Sequence, residues 1–555
     1  MAWLILIWSR LAALAGFVLW RDALDPHGMV IEGIKFWLSY KSRLGPLSLL
    51  VLCVLAFAMI MQANGLRQRV ARLPAVLAAH WRKAGWIFAG AGLVGALVAV
   101  WVLRAFPYSG DEYDYLFQAE TYLAGRLSNP MPPLPDFFWV VHTSFQDGKW
   151  VSTYPPGWPL LLAVVSAIGL PFWLACPAAG ALLLFALFKL AQRRDGPLGG
   201  VLALALVTLS PFFAFNAGSF FNHVPATAAG LFFCWAALDF LDQARVSKAC
   251  LTGIALGVVG LIRPVDVLFF ALPFAGEFCW RARRQHYLKA PAIVLAGLPF
   301  VIALLLYNHT VTGSSFLGVF ADQRPAEFGF HPVTEEGDVL TLRDQLRIAA
   351  FRIVLAAEWT SPVLVLGYGP ALVWLAVRRR LSFLDMIFPT YVIGYLLVPF
   401  TGTHQYGPRY YFEGWPFFAL TVVSGLMPLL QTTRERWRVF VTSLVMAHLA
   451  IALAAGVIFG IFMRKIIDET MDLYDRAAAE GISNAVIVVR SGTSPSRFYD
   501  PRGLDRNGIS IDGEVIYAHD LPDRLGELRQ LFSQRHFYIY ERASDSPKGV
   551  LRRLW

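Results

Sequence analysis

The stretch that decides the fold is AGWIFAGAGLVGALVAVWVL at residues 84–103, followed at once by RAFPYSGDEYDYL at residues 104–116. The first part carries no charged side chain. A helix needs about 20 mostly apolar residues to cross a bilayer, because every backbone N–H and C=O in hydrocarbon must be paired within its own segment. The stretch therefore predicts a membrane-spanning helix that leads into an acidic, aromatic loop.

The composition of the whole chain agrees with a membrane protein. Of its 555 residues 57% are hydrophobic and only 15% are charged, whereas soluble domains carry about a quarter charged residues. The net charge of +10 does not indicate nucleic-acid binding, because Lys and Arg cluster in short loops between apolar runs. The five cysteines lie within or beside apolar runs without metal-ligand spacing, so no disulfide framework or zinc site is predicted.

The chain is predicted to be an all-α polytopic membrane protein with about 13 transmembrane helices. We divide it into an N-terminal two-helix membrane addition (1–83), a transmembrane catalytic domain (84–463) with outer loops 104–156 and 307–349, and a C-terminal domain (464–555). The apolar runs are 3–20, 46–63, 84–103, 171–191, 198–215, 224–241, 248–263, 266–280, 290–306, 350–377, 384–400, 415–430 and 439–463.

Basic loops indicate which side of the membrane each segment faces. Lys and Arg favour the cytoplasmic side, and the basic loops are 67–83, 193–194, 245–248, 281–289, 378–380 and 434–438. Alternation then places both outer loops and the tail on the opposite side, provided that the apolar stretch 156–170 is a re-entrant or interfacial helix. In the tail, runs 485–489 and 537–540 predict strands around a helix at 521–532, typical of a small soluble α/β domain.

The acidic motif after residue 103 offers the first candidate site. Asp111, Asp114, Tyr115 and Gln118 would share one helix face that could bind a polar ligand. A structural explanation is equally open, because Ser109 followed three residues later by Glu112 is a capping box. The two are compatible, since a carboxylate near a helix N-terminus is kept ionised and suits a base better than an acid.

Further polar residues interrupt the apolar pattern on the predicted outer side. They are the Tyr154-Pro-Pro entry, Asn222-His223, Arg263 with Asp266, Tyr307-Asn-His, and the run 403–416 with His404, Arg409 and Glu413. Aromatic anchoring or ordinary loop polarity would explain several of these. Arg263 is different, because a charge between apolar runs is costly and usually faces a cavity or a partner, here Asp266. One carboxylate with several cations suits deprotonation of a hydroxyl while a phosphate leaves.

Four motifs resemble those of bacterial GT-C glycosyltransferases and follow in the same order: Ser109-Gly-Asp-Glu-Tyr, Tyr154-Pro-Pro-Gly-Trp-Pro, Tyr307-Asn-His-Thr-Val-Thr-Gly-Ser and Tyr406-Gly-Pro-Arg-Tyr-Tyr. The likeness covers residues 84–430 and is greatest to the family of protein O-mannosyltransferases and the aminoarabinose transferase of lipid A. It implies a GT-C fold in the bacterial cytoplasmic membrane, with an active site facing the periplasm. It also implies a polyprenyl-phosphate sugar donor, an extracytoplasmic acceptor and inversion at the anomeric carbon.

The resemblance also implies roles for single residues. Asp111 matches the catalytic base and Glu112 its companion. Relatives often carry Lys directly before Tyr-Pro-Pro, where this chain has Thr153, so that Lys149 is the nearest lysine before the motif. The donor phosphate would be bound by Arg263, Arg409, His223, His404 and Lys149, and the substrates by Asp114, Tyr115, Tyr154, Asn222, Tyr406 and Tyr410. No particular cofactor is predicted, and a divalent cation on Glu112 or Asp114 remains open.

Two other functions would account for a polytopic chain with outer polar residues. A transporter would also carry intramembrane charge, but no inverted repeat is visible and few charges lie in mid-span. A non-catalytic envelope assembly protein would use its tail to bind a partner. Loss of sugar transfer on substitution of Asp111 would distinguish an enzyme from both.

Overall fold

A computed structural model describes residues 61–81, 84–316, 318–319, 329, 332–334, 339–400, 402, 406–490, 506–542 and 548–555. Most of the predicted N-terminal addition and His404 lie outside the described residues. The described helices are α1 (Asn64–Ala79), α2 (Ala84–Leu97), α3 (Gly110–Leu123), α4 (Gly157–Ala167), α5 (Ala175–Thr208), α6 (Pro211–Gly218), α7 (His223–Gln243), α8 (Val246–Ile262), α9 (Asp266–Arg281), α10 (Arg284–Lys289), α11 (Pro291–Thr312), α12 (Leu342–Trp359), α13 (Pro362–Val377), α14 (Phe383–Gly394), α15 (Trp415–Leu430), α16 (Glu435–Ala479) and α17 (Leu525–Leu531).

The prediction of an all-α membrane fold is confirmed, whereas the count of 13 spans is not. Within the described ranges, four helical segments are long and apolar enough to cross a membrane, or five if a pair bent by 115° counts as one span. The four are Phe172–Thr208, His223–Gln243, Arg284–Thr312 and Glu435–Ala479, and the bent pair is Leu342–Trp359 with Leu364–Val377. Shorter apolar helices such as α8 and α15 complete the bundle.

Helix α5 contains a reversal where two separate spans were predicted. Gly196 has φ 75° and ψ −173°, which is not helical, and Pro197 follows it. A Cβ on Gly200 would lie 2.7 Å from the ring of Phe188. Those two residues would be about 18 Å apart along a continuous helix, so the chain folds back at Gly196. The predicted run 171–191 and the first part of the run 198–215 are thus two packed legs joined beside Arg193 and Arg194, and the second run continues into α6 after a break at residues 209–210.

A small outer layer covers the bundle at the predicted external side. Strands β1 (Asn129–Pro130), β2 (Thr143–Gln146) and β3 (Lys149–Ser152) form an antiparallel sheet with the order β1-β3-β2. The sheet packs on α3, where the rings of Phe117 and Trp150 lie 4.6 Å apart. The apolar stretch after the proline pair forms α4, and Gly157 allows it to approach α8 closely.

One long helix, α16, leads into the C-terminal region. Helix α16 runs for 45 residues without interruption through residue 464, where the tail was predicted to begin. At about 67 Å this helix is longer than the hydrocarbon thickness of a bilayer, so part of the helix lies beyond the hydrocarbon. The sheet that follows has the order β5-β4-β6-β7, with β4 (Ala485–Val489) parallel to β5 (Val515–His519) and β6 (His536–Glu541) and with β7 (Val550–Arg553) antiparallel. The predicted strands are confirmed, and the predicted helix is shorter, as α17.

Candidate active site

The N-terminus of α3 builds the first half of the site, and its predicted capping box is confirmed. Glu112 is fully buried, and its oxygens accept hydrogen bonds from the backbone N–H of Ser109 at 3.1 Å, Tyr108 at 3.2 Å and Phe220 at 2.9 Å. Burial raises the pKa of Glu112 to about 7, although these N–H donors oppose the shift. Glu112 therefore ties α3 to the turn before α7.

Asp111 is the accessible carboxylate of the site, with 17% of its side chain exposed. Its Oδ1 accepts a hydrogen bond from the hydroxyl of Tyr154. Its Oδ2 lies 3.5 Å from Arg409 Nη1 and 3.9 Å from His142 Nε2. Burial alone would raise the pKa of Asp111, but Arg409, His142 and the Tyr154 hydroxyl outweigh it and hold that pKa well below its usual range. The carboxylate is therefore kept ionised.

Asp114 lies one helical turn further along and is fully buried. Its Oδ2 accepts hydrogen bonds from Ser152 Oγ at 2.9 Å and from the backbone N–H of Thr153 at 3.1 Å. Its Oδ1 is buried without a hydrogen-bond partner among the described residues. Burial raises the pKa of Asp114 well above its usual range. Asp114 thus fastens α3 to β3, and the neighbouring Tyr115 packs its ring 4.8 Å from that of Tyr154.

Arg263, between α8 and α9, is the centre of a second buried network. Its Nε donates to Asp266 at 2.9 Å, as the sequence predicted, and lies 3.0 Å from Glu413 Oε1. Its Nη1 donates to Asn222 Oδ1 at 3.0 Å and its Nη2 to the hydroxyl of Tyr395 at 2.7 Å. Because these partners lie at or beside the ends of different helices, Arg263 joins α7, α9, α14 and α15 at those ends.

Glu413 links this network to His223. The two side chains meet at 2.7 Å between Glu413 Oε1 and His223 Nδ1, and both are buried. Burial raises the pKa of Glu413 to about 7, against the pull of Arg263. Its second oxygen is buried with no hydrogen-bond partner in the described part of the chain.

The turn before α15 supplies Arg409. Its guanidinium carbon lies 4.2 Å from the ring centre of Phe221, which holds the cation beside Asp111. Gly407 has φ 91°, and a Cβ there would lie 2.9 Å from the ring of Trp359. Tyr410 stacks on Tyr395 with ring centres 4.8 Å apart. This turn therefore needs glycine, and it places Arg409 against Asp111 and Tyr410 against Tyr395.

The structure brings most of the predicted site residues together, in two neighbouring groups. The first contains Asp111, Tyr115, Tyr154 and Arg409, and the second contains Asn222, His223 and Arg263. Lys149 instead donates to the backbone carbonyl of Thr310 at 3.1 Å. The ring of Tyr406 is fully buried and stacks on Phe215 in the core.

Sequence reasoning missed His142 and Tyr395. His142 lies in the outer loop within a Val-Val-His-Thr stretch that matches no motif, and Tyr395 lies inside an apolar run. Only folding places His142 beside Asp111 and Tyr395 on Arg263. Within the described ranges, no group of three or more His, Cys, Asp or Glu side chains could hold a metal ion.

Comparison with solved structures identifies the fold. ArnT from Cupriavidus metallidurans bound to undecaprenyl phosphate matches with a TM-score of 0.50 and 11% identity, over 85% of this chain and 98% of that one. The oligosaccharyltransferase of Archaeoglobus fulgidus matches with a TM-score of 0.44 and 12% identity, over 72% of this chain and 60% of that one. The arabinofuranosyltransferase AftD from Mycobacteria matches with a TM-score of 0.42 and 13% identity, over 78% of this chain and 32% of that one.

These three structures belong to GT-C glycosyltransferases. The match to ArnT extends over 85% of this chain and shows that this protein has the GT-C fold, as its motifs predicted. No family model matches the sequence, and no curated protein matches it either. The likeness is therefore one of fold, and the function rests on the site.

Proposed function

We propose that this protein is a membrane glycosyltransferase that moves a sugar from a polyprenyl-phosphate donor to an extracytoplasmic acceptor. The observation that carries the proposal is the accessible, ionised carboxylate of Asp111 beside the cation of Arg409, at 3.5 Å. The fold supports it, since a protein of the same fold was solved with undecaprenyl phosphate. The reaction would take place in the bacterial cytoplasmic membrane, with the acceptor a glycan, lipid or protein of the cell envelope.

Asp111 is the base in this mechanism. It accepts the proton of an acceptor hydroxyl while that oxygen attacks the anomeric carbon. The bond from that carbon to the phosphate oxygen breaks on the opposite face, and the electron pair leaves with the polyprenyl phosphate, so that the configuration inverts. Arg409 stabilises the negative charge that develops on the departing phosphate, as a cation fixed close to where that charge appears. Tyr154 orients the carboxylate through its hydroxyl.

Arg409 would also couple donor binding to the strength of the base. In the free protein its charge is one of the groups that hold the pKa of Asp111 low. A donor phosphate that binds Arg409 brings negative charge close to Asp111 and draws on the same guanidinium. The pKa of Asp111 then rises towards its usual range, and the carboxylate becomes a better proton acceptor when the donor is present.

Some of the remaining predicted residues are proposed to contact the substrates, and others to hold the site in shape. Arg263 already uses its Nε, Nη1 and Nη2 within the protein, and a guanidinium has five N–H donors, so a phosphate could bind those that are left. Glu112 is a positioning residue, because both its oxygens accept backbone hydrogen bonds. Tyr410 is proposed to contact the substrates, since it follows Arg409 directly, whereas Tyr115 is buried and supports the site by packing on Tyr154.

The test compares wild-type protein with Asp111→Asn for release and transfer of radiolabelled sugar from a panel of polyprenyl-phosphate sugars, with a membrane extract as acceptor. General-base help is worth about 10² to 10⁴ in rate, so the variant should lose nearly all transfer and stay folded. Asp147→Asn is the matched control, because Asp147 is exposed in the β2–β3 turn of the same loop. Full activity of Asp111→Asn would refute the base, and no transfer from any donor would favour a transporter or an assembly protein.

A further inference from the structure

The C-terminal domain lies directly against part of the outer loop. The contacted segment is residues 134–142, which we call the positioning loop. Arg524 Nη1 lies 2.6 Å from Asp136 Oδ2, and His519 Nε2 donates to the backbone carbonyl of Trp139 at 2.7 Å. A third contact is aromatic, since Phe138 meets Phe532 edge-on with ring centres 6.3 Å apart. An ion pair, a hydrogen bond and a ring contact therefore hold the loop from outside.

The other end of the positioning loop touches the site. Val141 lies so close to Gly110 that a Cβ on that glycine would be 2.1 Å from Val141 Cγ1. The carbonyl of His142 accepts a hydrogen bond from the N–H of Thr153 at 3.1 Å. His142 has φ 68°, a conformation that costs free energy for a residue other than glycine and persists only where surrounding contacts enforce it. The loop thus sets both the backbone and the imidazole of His142.

We propose that His142 is a positioning residue for Asp111 and that the C-terminal domain holds His142 in place through the positioning loop. The inference rests on the function proposed above. The imidazole Nε2 is 3.9 Å from Asp111 Oδ2, on the same oxygen as Arg409, and its ring lies 5.5 Å from that of Tyr154. His142 therefore adjoins both the base and the hydroxyl that orients it. The C-terminal domain, which contributes no side chain to this carboxylate among the described contacts, acts through His142.

This role predicts a change in pH dependence that a purely structural role would not produce. His142 is one of the groups that lower the pKa of Asp111, so removing it raises that pKa. The ionised fraction of Asp111 then falls at a higher pH, and the acid limb of the kcat profile moves upward. The other titratable groups around Asp111 remain in place, and these are Tyr154, Arg409, His223, Glu112, Asp114, Tyr115 and Tyr410.

The experiment compares three variants of the full-length protein with the wild type. His142→Gln should lower kcat about tenfold, because small displacements of a catalytic group are costly, while the donor KM stays within about twofold. A variant with Arg524→Gln and His519→Ala should lower kcat in the same way, with the same upward shift of the acid limb. Arg552→Gln is the matched control, because Arg552 pairs with Glu541 inside the same domain. It should leave kcat and the pH profile unchanged.

Combining the substitutions distinguishes an effect that the C-terminal domain exerts through His142 from a general loss of structure. If the domain acts through His142, the Arg524/His519 variant loses no further activity in the His142→Gln background. Additive losses, or an unshifted acid limb in either variant, would overturn the proposal.

A second readout does not depend on transfer. Amide hydrogen exchange at Thr143 and Thr153, whose N–H groups bond to Val140 and His142, should become faster in the Arg524/His519 variant. Unchanged exchange would overturn the role of the domain. If the wild-type protein showed no sugar transfer that depends on Asp111, the proposed function would be refuted instead. Hydrogen exchange would still test the contact between the C-terminal domain and the positioning loop.

Discussion

Two clusters at opposite ends of the bundle each pair an aspartate with an arginine, and they differ in how tightly that pair is made. The inner cluster, Arg194, Ser382, Asp385 and Thr421, lies beside the loops predicted to be cytoplasmic. Asp385 is fully buried there, and Arg194 donates to both of its oxygens at 2.8 and 2.9 Å. Thr421 Oγ1 and the N–H of Ser382 each add a bond of 2.8 Å.

The outer cluster, Asp111, His142, Tyr154 and Arg409, is looser and more open. Arg409 and His142 both lie on one oxygen of Asp111, at 3.5 and 3.9 Å, and the carboxylate keeps 17% of its side chain exposed. A pair with direct bonds on both oxygens is a brace between helices. A longer, partly exposed pair can exchange its partners for those of a substrate at little cost. The difference in spacing therefore separates a structural cluster from a candidate catalytic one.

The largest expected effect comes from breaking the inner cluster. Arg194→Ala leaves Asp385 buried without its ionic partner, which typically costs about 3–5 kcal/mol of unfolding free energy. Thermal unfolding in detergent would show it, with transfer per folded molecule preserved. Arg193→Gln is the control, because its partners Asp239 and Asp242 are 20% and 47% exposed, and such a pair contributes about 1 kcal/mol or less. Equal stability of the two variants would show that the inner cluster is no brace.

The next effect should appear at the outer cluster as lost activity. Arg409→Gln removes the cation from both the leaving phosphate and Asp111, and we expect kcat/KM to fall about 10²-fold, or roughly 2.7 kcal/mol. Stability should change little, because Asp111 keeps Tyr154 and its exposure to water. Arg464→Gln, which breaks an exposed pair with Asp468, is the control. An unchanged kcat/KM for Arg409→Gln would remove Arg409 from the mechanism.

The smallest effect is expected at Glu112, and it tests whether this residue contacts the substrate or only supports the site. Glu112→Gln replaces one accepting oxygen with an NH₂ group that must face the N–H of Phe220 or of Ser109. An unsatisfied buried group costs about 1–3 kcal/mol, so unfolding in detergent should begin at a lower temperature. Glu120→Gln on the same helix should change it little. If Glu112→Gln were as stable as wild type but inactive, Glu112 would act directly on substrate.

Features that depend on neighbouring residues could be predicted from the sequence. The capping box needs only Ser109 and Glu112 three positions apart, and the strand at Ala485–Val489 shows as a short β-branched run. The pairing of Arg263 with Asp266 is likewise local. The order of the motifs also indicated the fold that comparison with solved structures then showed.

Features that depend on distant contacts could not be predicted. The count of spans is not confirmed, because hydropathy shows how apolar a run is and not whether it bends, as α12 and α13 do by 115°. Helix α16 continues past the last apolar residues because nothing in its sequence terminates it there. The partners of Glu413 and the position of His142 come from segments far apart in the chain.

By itself, the sequence determined that this chain belongs in a bilayer. It also showed which positions along the chain form basic loops and which short motifs could carry chemistry. Hydropathy, charge and capping act over a few residues, so they can be read in order along the chain. Only the tertiary structure decided that Asp111 lies beside Arg409 and His142 and that both oxygens of Glu112 accept backbone hydrogen bonds. It also decided that the C-terminal domain contacts the outer loop. Those contacts arise when separate helices and loops pack together, because a buried charge takes the partners that packing places within reach.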